Sequence, residues 1–126
     1  VMQNTDVQLY MRTVIEELVS ASSLPAPEAE LEAIALLEKI GISDKRDRHP
    51  QSLSGGEKQR LVIASVLMKK PSIVVLDEPT SGLDGRNMRI IADMLSDYAA
   101  RGNTVLLITH DLGFLSLSAT YKIEIE

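Results

Sequence analysis

No cysteine and no tryptophan occur among the 126 residues, and aromatic side chains make up only 3% of them. Without a thiol, disulfides, thiolate metal sites and cysteine nucleophiles all drop out, and a reducing compartment is the simpler setting. One Phe, three Tyr and a net charge of −5 leave few stacking platforms and no basic footprint. A nucleic-acid partner is therefore not expected. No apolar run approaches the roughly 18 to 20 residues that span a bilayer, so any membrane role is expected to come through a partner. The first residues, Val1, Met2, Gln3 and Asn4, lack both a basic stretch and an apolar stretch. They are not expected to be a secretory signal, nor to be a natural beginning.

What is present fits one soluble domain. Hydrophobic residues make up 44% of the chain and charged residues 25%, a balance that forms a core and argues against intrinsic disorder. Val14, Ile15, Leu18 and Val19 fall at helical spacing behind Thr13 and Glu16, which read as a capping box. The run Ser22 to Pro27 breaks that helix. A second is predicted from near Glu28, with Leu31, Ile34, Ala35 and Leu37, stopping at Gly41. Asp44, Lys45, Arg46, Asp47 and Arg48 form a mixed-sign cluster that reads as solvated surface.

After Gly56 the residues Leu61 to Ala64 and Val66 to Met68 are apolar almost all round, as in a buried helix. Ile73 to Leu76 reads as a strand buried on both faces of a parallel sheet. Ile91, Met94, Leu95 and Tyr98 form a stripe within a helix predicted over Arg86 to Arg101, and Thr104 to Thr109 is a second apolar strand. The three make a β-α-β unit with a right-handed crossover. Tyr121 to Glu126 alternates like a further strand.

Chemistry concentrates in three places. Ser54 and Glu57 form a second S-x-x-E capping box, with Gly55 and Gly56 between them. The glycines admit two readings: turn chemistry, or bare amides at a helix N-terminus that a phosphate approaches. Two adjacent glycines cost a helix roughly 1 kcal/mol each, which favours a role beyond helix formation. Asp77 and Glu78 end a predicted parallel strand, where such sheets bind ligands. Asp77 suits Mg²⁺, and Glu78 could orient or deprotonate a water; alternatively both carboxylates cap the next turn. His110, beside Asp111, leaves the neighbouring strand at the same edge and could donate a hydrogen bond to a phosphate oxygen or a water, or be structural. Pro79 to Asp84 supply a polar turn.

The order LSGGE at 53–57, apolar strand to Asp77-Glu78, SGLD at 81–84 and strand to Thr109-His110 closely resembles the nucleotide-binding subunit of ABC-type ATPases. These segments match the signature sequence, the Walker B strand, the D-loop and the switch histidine. Gln3 resembles the family's Q-loop glutamine and lies 50 positions before Leu53, too close for the long coiled coil of the chromosome-maintenance members. The stretch QNTDVQLYMRTVIEEL is similar to ATPases of energy-coupling-factor and cobalt-type importers, although Thr5 stands where Pro is usual. Thr120 and Tyr121 likewise replace a usual Asp-Arg pair.

The resemblance implies an α/β, P-loop NTPase-like (ABC ATPase) fold with a partial parallel sheet, flanking helices and a helical subdomain. Residues 1–52 would be the Q-loop and helical subdomain. Residues 53–126 would hold the signature helix, Walker B strand, D-loop, switch-histidine strand and terminal strand of the RecA-like core. It implies a peripheral subunit at the cytoplasmic face of the membrane that hydrolyses ATP with Mg²⁺ to drive uptake of a vitamin or metal ion. Its partners would be a second ABC ATPase domain, identical or not, and a transmembrane transporter subunit. Glu78, His110 and Gln3 would be catalytic, Asp77 and Gln3 would serve the metal, and Leu53, Ser54, Gly55, Gly56, Glu57 and Asp84 would contact nucleotide across the dimer.

No GxxxxGK[ST] loop occurs in the chain, so the isolated polypeptide is expected to be an inactive fragment of a larger ATPase. In the family the P-loop strand lies between the strand before His110 and the final strand, so both are expected to expose edges here and to self-associate or rearrange. Two other readings remain: a docking or regulatory module without a P-loop, and a soluble ABC-type ATPase acting on ribosomes or DNA.

Overall fold

The computed structural model describes Leu9, residues 11–79 and residues 83–109. Its elements run α1 (Val14–Ala21), α2 (Ala26–Lys39), α3 (Gly55–Met68), β1 (Ile73–Asp77), α4 (Gly85–Ala100) and β2 (Thr104–Ile108), with short 3₁₀ turns at Ser43–Lys45 and Pro50–Ser52. The predicted strand at Tyr121 to Glu126 lies outside the described residues.

Local sequence accounts for most of these boundaries. Thr13 caps α1, its hydroxyl accepting from the Glu16 N–H at 3.2 Å. The Glu16 carboxylate reaches back to the Arg12 N–H instead of that of Thr13, so only half of the expected box forms. Helix α2 starts two residues before the expected Glu28, because Pro27 falls in its first turn, where a fixed φ and a missing N–H cost nothing. At its end Gly41 takes φ +78, its N–H donating to the Glu38 carbonyl and that of buried Ile42 to the Leu37 carbonyl. Only a residue without Cβ enters this left-handed cap cheaply.

Helix α3 is the centre of the molecule. Gln59, Arg60, Leu61, Val62, Ile63, Ala64, Leu67 and Met68 are all buried, which matches the nearly all-round apolar pattern. Helices α1, α2 and α4 pack against it, and one core joins Leu18, Leu37, Leu61, Ile63, Leu76, Ile91 and Leu95. Tyr98 ties the base of the sheet to α4: its hydroxyl donates to the Pro71 carbonyl at 2.5 Å.

Strands β1 and β2 are parallel as expected, in register from Ile73 beside Thr104 to Asp77 beside Ile108, with α4 as the crossover. The expectation that β1 is buried on both faces is corrected. Val74 and Leu76 face the core, whereas Ile73 and Val75 are 64% and 49% exposed, alongside Leu106 and Ile108 at 52% and 53%. The reason is one-sided packing: among the described residues, helices cover one face of this two-stranded sheet and no element covers the other. A continuous apolar run therefore signals the burial a strand is suited to, not the burial it has within this chain.

Candidate functional site

The candidate residues fall into two clusters, one at the start of α3 and one at the carboxyl ends of the strands. At the first, Leu53 is buried and anchors the approach, its N–H donating to the Pro50 carbonyl. Ser54 and Glu57 close a full capping box: the Ser54 hydroxyl accepts from the Glu57 N–H at 3.2 Å, and Glu57 Oε1 accepts from the Ser54 N–H at 2.9 Å. That leaves the Gly55 and Gly56 amides at the positive end of the helix dipole without an acceptor among the described residues.

The two glycines differ. A Cβ on Gly55 would meet nothing within 4 Å, so a ligand has room beside its backbone. A Cβ on Gly56 would lie 2.7–2.8 Å from three atoms of the Asn87 side chain, so a side chain here would have to displace the Asn87 amide. Open space lies at Gly55 and close packing at Gly56.

Glu57 is also paired with Lys45, which crosses from the mixed-sign segment 44–48. That segment is thus corrected from pure solvated surface: Asp44, Arg46, Asp47 and Arg48 are exposed, but Lys45 is half-buried against the capping box. Burial pushes the Glu57 carboxyl up, and its bonds with Lys45 and Ser54 outweigh that, holding it below the ordinary 4.5.

At the second cluster, Asp77 ends β1 on its open face and is exposed, a hard oxygen donor within reach of solvent. Glu78 follows in a left-handed conformation, φ +48, which costs a non-glycine residue about 1–2 kcal/mol. Bonds to the end of β2 help to hold it there. Its N–H donates to the Ile108 carbonyl at 2.7 Å, and the Thr109 hydroxyl donates to Glu78 Oε2 at 3.2 Å. The strained residue is thereby fixed to the end of β2, one position before His110.

The buried Gln59 joins the clusters, its Nε2 donating to the Pro79 carbonyl at 2.9 Å. Asp84 caps α4, with Oδ1 accepting from the Asn87 N–H at 2.8 Å and from Asn87 Nδ2 at 2.9 Å. Asn87 in turn accepts from Arg60 Nη1. Gln3 and His110 lie outside the described residues, as do Thr80, Ser81 and Gly82 of the polar turn and the departures Thr5, Thr120 and Tyr121.

Sequence reasoning missed Lys45, Gln59, Arg60 and Asn87. The adjacent polar pair Gln59-Arg60 at the head of an otherwise buried helix was the one available signal, since a buried polar residue needs a partner. Among the described residues no three His, Asp or Glu converge, so the acidic groups here form no self-sufficient metal cage. No helix among them is long and apolar enough to cross a membrane.

The family profile described as ABC transporter matches residues 1–81. The chain is 40% identical over 120 residues to the energy-coupling factor transporter ATP-binding protein EcfA of Methanosphaera stadtmanae, covering 93% of this chain and 43% of that protein. It superposes on the structure of cbiO1 from Clostridium perfringens, part of the ABC transporter complex cbiONQ, with TM-score 0.73 and 31% identity. That match covers 91% of this chain and 47% of the other. The dimeric bacterial ABC transporter cassette MJ0796 matches with TM-score 0.77 and 25% identity, over 94% of this chain and 54% of the other. The fold is thus the α/β, P-loop NTPase-like fold of ABC ATPase cassettes. The chain spans less than half the length of the curated relative it matches.

Proposed function

The chain belongs to the ABC transporter family, and from that premise we propose that it supplies the signature and hydrolytic segments of an ATP-hydrolysing subunit that energises a membrane importer. Likeness to EcfA and to cbiO1 supports placing it among energy-coupling-factor and cobalt-type systems; in this reading the cargo is a vitamin or metal ion. In this reading, residues 1–52 form the Q-loop and helical subdomain and residues 53–126 the core segment. A second ATPase domain faces the signature turn, in keeping with the dimeric cassette, and a transmembrane subunit receives the motion. The subunit sits peripherally on the cytoplasmic face of the membrane.

The observation that carries this reading is Glu78: a non-glycine residue in a left-handed conformation, at the carboxyl end of a parallel strand, locked to the strand beside it. Parallel sheets bind ligands at that edge, and strain of this kind collects at functional positions. The residues present fit ATP and Mg²⁺ in part. Gly55 leaves open space at a helix N-terminus, and Asp77 offers an exposed carboxylate, whereas no GxxxxGK[ST] lysine occurs in the sequence. Bound Mg²⁺ would neutralise charge on the phosphates.

This chain's own groups then divide the work. Leu53 anchors the signature turn, and Ser54, Gly55 and Gly56 present donors to a terminal phosphate held mainly by the facing subunit. Glu57 fixes that turn through the capping box. Asp77 serves the metal with Gln3. Glu78 takes a proton from the attacking water, and His110 with Gln3 completes the phosphate site. Asp84 relays position across the dimer.

Two preparations test this reading: the isolated chain, and a chimera joining it to the preceding segment of M. stadtmanae EcfA. The isolated chain should show no turnover above buffer, while the chimera should hydrolyse Mg-ATP. Glu78→Gln should lower chimera turnover by about 10² to 10⁴, the contribution of a general base. Turnover that survives this substitution overturns the assignment, and hydrolysis by the isolated chain that Glu78→Gln abolishes overturns its inactivity.

A further inference from the structure

Between the start of α3 and the start of α4, three side chains make a connected set of contacts that extends beyond the cap of α4. Asp84 Oδ1 accepts from the Asn87 N–H, an ordinary N-cap, and also from Asn87 Nδ2 at 2.9 Å. The second bond orients the Asn87 amide so that its oxygen accepts from Arg60 Nη1. Arg60 is only 7% exposed, and its Nε has no hydrogen-bond partner among the described residues. A buried guanidinium with one nitrogen unpaired depends heavily on the acceptors it has. The same Asn87 amide stands where a Cβ on Gly56 would be, 2.7–2.8 Å from three of its atoms.

We propose that Asn87 is a positioning residue that makes the glycine turn at 55–56 follow Asp84. One planar amide is held by Asp84 on one side and by Arg60 on the other, and it bears on the backbone of Gly56. Close-packed groups transmit displacement because neither can move without the other. A shift of Asp84 therefore moves the Gly55 and Gly56 amides, and a ligand drawing on those amides shifts Asp84. This deepens the phosphate-cradle reading of the turn and rests on it for its consequence. The contact itself is testable without nucleotide.

The test uses the complete 126-residue chain labelled with ¹⁵N. Asn87→Asp keeps the volume and an oxygen for Arg60 but replaces the donor to Asp84 with a second carboxylate oxygen. It should displace the Gly55 and Gly56 amide resonances while leaving those of Ala33 and Leu37 in α2 in place. Asp84→Ser, which retains an acceptor for the Asn87 N–H, should displace the same two resonances in the otherwise unaltered chain and add nothing once Asn87→Asp is present. Additive displacements, or Gly55 and Gly56 resonances that stay put, overturn the proposal. A second measurement stands apart from chemical shifts. Gly56→Ala should lower Tm by about 4 °C or more, and by less than half as much in an Asn87→Gly background; equal losses in both overturn it. Failure of the chimera to hydrolyse ATP would sink the cradle reading and leave these two results to decide the contact.

Discussion

The start of α3 and the end of β1 carry the two most informative motifs, and they are built on opposite principles. Ser54 and Glu57 satisfy one another: hydroxyl and carboxylate exchange bonds with backbone amides, and Lys45 neutralises the carboxylate. At Glu78 a local demand is refused, because an L-residue sits at φ +48 where glycine would be relaxed. A capping box stabilises a helix whether or not a ligand ever arrives, so its presence says little about function. Strain that folding alone would have removed says more. In the first region Gly55 has open space beside its backbone, which is where the proposed phosphate cradle would act.

The contrast is sharpened first at the glycines. Gly56→Ala drives a methyl into the Asn87 amide and should cost about 1–3 kcal/mol in urea unfolding, as overpacking does. Gly55→Ala meets no neighbour, and in a helix it should be neutral or gain up to about 1 kcal/mol. Equal effects at the two positions would dissolve the distinction drawn between them.

A smaller effect comes from the capping box. Ser54→Ala should cost about 1 kcal/mol by the same measurement. The Glu57 carboxyl is held below 4.5, so its contribution is fully present above that value and is lost as pH falls through the folded pKa. Glu57→Gln should accordingly flatten the acid limb of the stability profile. An unchanged acid limb would mean that the bonds to Lys45 and Ser54 contribute nothing in solution.

How much of this was legible in the sequence depends on how far each signal travels along the chain. Ser54 and Glu57 are three residues apart, and their box could be read directly; so could the parallel pairing of Ile73–Asp77 with Thr104–Ile108, from two apolar runs around an amphipathic helix. Asn87 lies 27 positions from Arg60, and no local pattern predicts that its amide fills the space above Gly56. Lys45 was hidden for a similar reason, since a mixed-sign run looks the same whether one of its members turns inward or none does. The open face at Ile73, Val75, Leu106 and Ile108 was misjudged because hydrophobicity records what a strand can pack against, while exposure depends on what this chain brings to it. The left-handed turn at Glu78 had no signal at all: glycine or asparagine would have announced it, and glutamate does not.

The central claim is that the strand end keeps a strained glutamate for its carboxylate and not for stability. Thermal unfolding of Glu78→Gly tests it most directly, because glycine relaxes the backbone while removing the side chain. Relief of the left-handed conformation, offset by the lost bond to Thr109 and the added freedom of the unfolded chain, should leave Tm unchanged or raised by up to about 2 °C. A fall in Tm would show that Glu78 is held in place for the fold and would contradict the account.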